Sequence, residues 1–282
     1  MEDYMNIRIV PASLAELLPL QLETIGINVD QEPIERPNGY PYFHWLQTLK
    51  GEGELSMNGQ TWRLSERSGI LLAPDMPHRY EAKSDLWQTG YITFHGSLTE
   101  SIVQAFGWNT VERFQWEAEN DRVSKTFVEI MSITEFGGDP SGWHSSSGLY
   151  RFLTLLRTDA RTESKPSMSK RLQRIQILLD WLEKEYANPE IGLVQMAKQL
   201  NIGERQLNEK FRELFGQTAY QYLIQLRIRK AKECLPSKPE WTIRKIGESV
   251  GFRDASHFVA TFRQKVGMTP ETYRKLYGTS AE

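Results

Sequence analysis

Five histidines and one cysteine are the side chains of this 282-residue chain best suited to hold a metal or attack an electrophile. Their spacing favours neither role. His44, His78 and His95 stand singly in strand-like segments, without the close His-x-His pair and following Glu of a barrel metal site, and Leu49–Glu54 adds only Glu52 and Glu54 beside a tight turn. They read as hydrogen-bonded packing residues, with a metal centre as the alternative. Cys234 shares an apolar helical stripe with Ile228, Ala231 and Leu235, which points to packing rather than redox or nucleophilic chemistry. No Gly-rich phosphate loop, Ser-His-Asp order or nucleophilic Cys motif stands out.

The spacing that does carry chemistry is a unit written twice. Phe211-Arg212, Gly216, Thr218 and Tyr222 recur as Phe262-Arg263, Gly267, Thr269 and Tyr273, each offset by 51 residues. Upstream of each copy, apolar residues at i, i+3 and i+7 mark a short helix with one buried face: Leu193, Met196, Ala197 and Leu200, then Ile243, Ile246, Gly247 and Val250. Ala197 and Gly247 are small enough to let a second helix cross closely. After an Asn- or Gly-containing turn, Leu207 and Phe211, or Phe258 and Phe262, face inward on that second helix. This is a helix-turn-helix twice over, a unit whose second helix enters the DNA major groove with its outward N-terminal residues facing base edges. Charge agrees: residues 170–282 carry 20 Lys+Arg against 13 Asp+Glu, a net of +7, whereas residues 1–169 carry 14 against 23, a net of −9. A basic module fused to an acidic one fits a phosphate-binding half joined to a half with another task.

The elements that must position these residues fall into two domains. From Tyr40 to Phe94 short strands alternate with turns: Asn58-Gly59 signals a hairpin, a further turn is expected at Ser68-Gly69 before Ile70, and a strand covers Trp87–Phe94. Such spacing predicts a small sandwich or barrel. After Ser97 the period turns helical, through Ile102, Val103 and Phe106, then Val123–Met131, then Leu149–Leu156. The polar stretch DARTESKPSMSK, Asp159–Lys170, reads as a linker, and Leu172, Ile175, Leu178, Leu179 and Leu182 begin the basic domain. The fold class expected is multi-domain α+β: a barrel with packed helices over residues 1–160, a linker over 161–170, and an all-α domain with two helix-turn-helix units over 171–282. The N-terminus has no basic segment followed by a sustained apolar run, no stretch approaches membrane-spanning length, and the single cysteine fits a reducing compartment, so a cytoplasmic protein is expected.

On these residues the C-terminal region resembles the DNA-binding domain of AraC/XylS-type transcription regulators, most specifically through GFRDASHFVATFRQKVGMTPETYR (Gly251–Arg274) and through Arg227-Ile228-Arg229-Lys230-Ala231 in the joining helix. GEGEL (Gly51–Leu55) and APDMPHRY (Ala73–Tyr80) are similar to the cupin-like sensor domain of the arabinose-type members. The resemblance implies DNA contacts from Arg205, Gln206, Asn208 and Glu209 in the first copy and from Ser256, His257 and Ala260 in the second. Arg suits guanine O6/N7, and Asn or Gln suits adenine N6/N7. Glu209 and Ala260 stand where the family commonly has Arg, which alters the readout, while Lys210, Arg212 and Arg263 are available to phosphates.

The resemblance also implies a ligand pocket of Arg36, His78, Tyr80 and Tyr91, suited to hydroxyls and to the apolar face of a pyranose. Arg36 lies fifteen residues before Gly51, as the analogous arginine does relative to its glycine. The same residues could instead brace a turn and fill the barrel. The partners implied are double-stranded promoter DNA, a small-molecule effector of carbohydrate type, a second copy paired through the helices at 123–156, and RNA polymerase. No cofactor, metal or membrane is expected, and activation is one possible outcome of binding. Two alternatives stand beside this regulator: a sugar-modifying barrel enzyme tethered to DNA, and a regulator without a small-molecule ligand.

Overall fold

A computed structural model describes residues 7–9, 18–108, 111–135, 139–162 and 166–278. The chain forms two compact units, Met1–Lys170 and Arg171–Glu282.

The first unit holds two antiparallel sheets. Strands β1 (Ile7–Ile9), β2 (Gln21–Asn28), β3 (Ile34–Arg36), β4 (Phe43–Lys50), β5 (Glu52–Met57), β6 (Gln60–Ser65), β7 (Ser68–Leu72), β8 (His78–Ala82), β9 (Gln88–His95), β10 (Val111–Gln115) and β11 (Arg161–Thr162) are joined by helices α1 (Thr99–Ala105), α2 (Arg122–Glu135) and α3 (Trp143–Asp159). The large sheet has the order β1-β2-β9-β4-β7-β10-β11 and the small one β3-β8-β5-β6. Side chains alternate between faces along a strand. In β4, Leu46 joins Leu55, Leu64, Ile70, Leu72 and Trp87 in a core between the sheets. Trp45, on the opposite face, joins Phe114, Phe127 and Phe152 in a core beneath the helices. Both faces of β4 are therefore covered, which explains why FHWLQTLK lacks the apolar–polar alternation of a one-sided strand.

The Asn58-Gly59 hairpin forms as expected, with both residues at positive φ (52° and 76°) between paired Met57 and Gln60. The next turn does not lie at Ser68-Gly69. Arg67 takes the left-handed conformation (φ 57°), the Ser68 hydroxyl donates to Ser65 O at 2.6 Å, and Ser68-Gly69 already belong to β7. The glycine is needed for packing, since a Cβ on Gly69 would sit 2.4 Å from the Trp45 ring. Within the expected linker 161–170, Arg161–Thr162 pairs with β10 and Met168–Lys170 opens the next helix. Residues 163–165 lie outside the described residues.

The second unit is all helical: α4 (Met168–Glu185) enters it, followed by α5 (Leu193–Gln199), α6 (Glu204–Phe215), α7 (Ala219–Ser237), α8 (Ile243–Ser249), α9 (Ala255–Val266) and α10 (Pro270–Tyr277). The repeated residues have repeated tasks. Phe211 and Phe262 are fully buried. Tyr222 meets the Phe211 ring edge-on at 5.5 Å and 75°, and Tyr273 meets Phe262 at 5.6 Å and 77°. Gly216 and Gly267 end α6 and α9 at positive φ, while the Thr218 and Thr269 hydroxyls accept the N–H groups of Gln221 and Thr272 to cap α7 and α10. Among the described residues no helix is long and apolar enough to cross a membrane.

Candidate nucleic-acid interface and ligand site

Helices α6 and α9 turn their polar faces outward. Arg205, Gln206 and Glu209 are exposed on α6, and the Arg205 guanidinium reaches the Glu209 carboxylate one turn on at 3.0 Å. Asn208 is half-buried, and its Oδ1 accepts the Ala219 N–H at 3.1 Å, so part of this side chain serves the first turn of α7. Lys210 is half-buried and Arg212 exposed. On α9, Ser256, His257, Ala260 and Arg263 are all exposed. Asp254 caps this helix by accepting the His257 N–H at 2.7 Å, and the imidazole stands edge-on to Phe252 with centroids 5.6 Å apart. The outward face of α6 is thus charged and paired through Arg205 and Glu209, whereas that of α9 sets the small Ser256 and Ala260 beside His257 and Arg263.

Sequence reasoning missed a basic–aromatic group before α8. The Lys238 ammonium before α8 and the Lys245 ammonium in its first turn sit 3.8 and 4.4 Å from the Trp241 ring centroid, a cation–π arrangement that gathers two cations at the start of the second copy. A Trp between two lysines just before a helix was the available signal.

In the first unit, strand register brings three of the four expected pocket residues together. Arg36 lies directly across from His78 in the β3–β8 pair, and Tyr80, two residues on, shares the face of His78. His78 and Tyr80 stack with centroids 5.9 Å apart. Tyr91 opposes Leu46 on β4, lies half-buried against the inter-sheet core, and disfavours ionisation of Tyr80 after the larger effect of that phenol's own burial.

Three further residues complete the set. Arg36 Nη1 donates to His44 Nδ1 at 3.2 Å, and its guanidinium lies 4.7 Å from the centre of the Tyr40 ring. Tyr40 donates to Glu23 at 2.8 Å, and Glu23 also accepts the Thr93 hydroxyl. Burial and then the Glu23 charge raise the Tyr40 pKa. Arg36, His78 and Tyr80 are therefore part of a larger polar cluster containing Glu23, Tyr40 and His44, while Tyr91 lies on β9 against the inter-sheet core. His44 had stood out only as a possible metal ligand. It lies 5.7 Å from His78, whereas His95 stacks on Tyr42, and among the described residues no His/Cys/Asp/Glu group of metal-binding arrangement occurs.

The partners assign the imidazole protons. A carbonyl only accepts, so His78 Nδ1, 2.7 Å from Met76 O, carries hydrogen. A guanidinium only donates, so His44 Nδ1 is an acceptor and its Nε2 carries the proton. Burial, followed by Arg36 and His78, holds His44 well below the ordinary histidine value; burial also lowers His78. Both rings are thus neutral near pH 7, and His78 Nε2 is a lone-pair acceptor, buried and with no hydrogen-bond partner among the described residues. A buried polar atom left in this way is costly unless something donates to it.

A sheet-rich ligand-binding unit followed by paired helix-turn-helix copies defines a DNA-binding regulator. Residues 26–153 match the model of the AraC-like ligand binding domain, and residues 196–276 that of a helix-turn-helix domain. The chain is 26% identical over 233 residues to the Msm operon regulatory protein of Streptococcus mutans, covering 80% of this chain and 82% of that protein. It is 25% identical over 248 residues to the HTH-type transcriptional activator RhaS of Escherichia coli, covering 84% and 80%. Among solved structures, the C-terminal domain of AraT, a response regulator from Geobacillus stearothermophilus, is similar with a TM-score of 0.37 at 25% identity, covering 38% of this chain and 88% of that one. The chain belongs to the AraC family of transcription regulators.

Proposed function

We propose that a neutral polyhydroxy compound of the sugar class binds the inward polar cluster of the barrel and alters how a homodimer engages promoter DNA. The observation that carries this reading is the orphaned His78 Nε2. A ligand hydroxyl would donate to it, Arg36 would donate to ligand oxygens, and the Tyr80 and Tyr91 rings would cover an apolar sugar face. A carboxylate at the same point would set two acceptors against each other. For the dimer, the support is the outward side of α2 and α3, where Val128 and Tyr150 are 54% and 52% exposed beside the Glu129–Arg151 ion pair.

In this reading Arg205, Gln206, Asn208 and Glu209 contact bases from α6, and Ser256, His257 and Ala260 do so from α9. Lys210, Arg212, Arg263 and the Trp241 lysines take phosphates. The barrel binds without catalysing, the protein works in the cytoplasm, and contact with RNA polymerase makes the outcome activation, as the name of the RhaS relative suggests. The test is a thermal-shift screen of neutral monosaccharides and their uronic acids against the full chain, because a ligand of the native state raises its melting temperature by mass action. At least one neutral sugar should stabilise the parent and fail to stabilise His78→Ala. If none does while DNA binding is intact, the sugar reading fails. DNA affinity should fall steeply with salt as counterions are released from each contacted phosphate.

A further inference from the structure

Helix α7 runs through both helix-turn-helix copies: Leu223 and Leu226 lie in the core of the first, and Ile224, Ile228, Ala231 and Leu235 in that of the second. Between them sits Arg227, a guanidinium only 3% exposed. Its Nε donates to Tyr186 O at 2.9 Å and its Nη2 to Asn188 O at 2.8 Å, both in the chain leaving α4 beside the first copy. The turn of the second copy seats on the same spot. Gly251 has φ +91°, and a Cβ there would fall 2.5 Å from Tyr186 O and 2.8 Å from Arg227 Nε. At the surface the same two segments are joined again, by Arg253 and Glu190 at 2.7 Å.

A buried cation held by carbonyls is an expensive way to fill space, and an apolar side chain of similar size would pack there at lower cost. What the guanidinium adds is direction, because its planar fork fixes two carbonyls at a set angle in a way that neither a methyl group nor a lysine can. We infer that Arg227 is a positioning residue for DNA readout: it fixes the separation and angle of α6 and α9, and thereby the spacing between the two DNA subsites that one chain accepts. The inference rests on the reading of α6 and α9 as the two recognition helices.

The test uses the full chain and a duplex selected by the parent protein from a random-sequence pool, together with versions carrying one base pair inserted or removed between the two subsites. Each change moves one subsite by about 3.4 Å and turns it by roughly 35°. In the parent, losing register should weaken binding on the order of tenfold or more, as mismatched base pairs do. Arg227→Met should reduce that penalty to about threefold or less, the size of change expected when a coupling contact is removed. Arg227→Lys and the exposed Glu190→Gln should shift the penalty the same way by less, and they decide the matter if the Met variant fails to fold. A purely stabilising role would lower the active fraction and weaken every duplex alike; an unchanged spacing penalty in the folded variants therefore overturns the inference. If the parent itself tolerates every spacing, the two-helix reading fails, and the role of Arg227 fails with it.

Discussion

The outward faces of α6 and α9 and the polar cluster of the barrel are built in opposite ways. On α6 and α9 the candidate side chains are mostly exposed and come from one or two turns of a single helix, so each except Asn208, which accepts the Ala219 N–H, can change without disturbing its support. In the barrel, Glu23, Arg36, Tyr40, His44, His78, Tyr80 and Tyr91 come from five strands and a loop and several satisfy one another, so removing one strands its neighbours. Substitution should therefore cost selectivity in the first region and both stability and ligand response in the second.

Arg36→Ala is the largest expected break. It removes the donor to the buried His44 Nδ1, which should destabilise the barrel unit by about 1–3 kcal/mol, and it should abolish effector response along with Tyr91→Ala. Basal DNA affinity of the full chain should be untouched, because residues 170–282 have their own cores. Chemical denaturation and effector titration check both halves. Retained effector affinity in the two variants would remove them from the site.

Arg205→Ala should do the reverse. Its ion pair with Glu209 is exposed, and such pairs contribute only about 0.3–0.5 kcal/mol, whereas a bidentate base contact is worth about 1–3 kcal/mol of discrimination. Selection from randomised duplexes should show relaxed preference at one or two base pairs with an almost unchanged melting temperature. His257→Ala should relax preference about one helical turn of DNA away. Uniform weakening on all sequences would reassign both residues to the phosphate backbone.

The same contrast explains what was legible in the sequence. Helical periodicity and the 51-residue repeat are local signals, so the inward Leu207, Phe211, Phe258 and Phe262 could be read directly, while the outward Arg205 and His257 came from the family resemblance. Even the glycines and threonines of the repeat were visible as a pattern, although their capping tasks were not. The barrel cluster depends on pairings such as Arg36 with His78 and His44 with Thr93, which no local pattern encodes. Resemblance reached Arg36, His78, Tyr80 and Tyr91; it did not reach Glu23 or Tyr40, whose link runs through a side-chain hydrogen bond between β2 and a loop. Arg227 was visible as the first residue of the family-like segment in the joining helix, but its burial was not, because nothing local marks a side chain for burial between two copies of a motif.

Acid should separate the two regions further. His44 and His78 titrate below 6.5 in the folded barrel, so the unfolded chain takes up more protons as pH falls through the ordinary histidine range. Their contribution is present in full above about 6.5 and is lost as pH falls toward the depressed folded values. The barrel's melting temperature should drop between pH 7.5 and 5.5 by more than that of residues 170–282, whose one histidine, His257, is exposed. His78→Gln should flatten part of the barrel's dependence. Equal pH dependence in the two units would deny the buried imidazoles this role.

The smallest expected effect concerns the chain between the regions. If effector acts by changing which half-site spacings a dimer can bridge, the connection between sensor and reader must limit their freedom, and loosening it should weaken control without weakening either part. Inserting a Gly/Ser segment into the expected 161–170 linker that doubles its length should lower the effective concentration of one part at the other by roughly threefold, since this falls as about the −3/2 power of length. Effector response should be blunted to that degree and the tolerated range of half-site spacings should broaden, while binding to a single half-site stays as in the parent. Promoter duplexes of graded spacing, titrated with and without effector, measure this directly. A lengthened protein that responds as the parent does at every spacing would move control away from the tether, to the dimerisation equilibrium or to direct contact between sensor and reader.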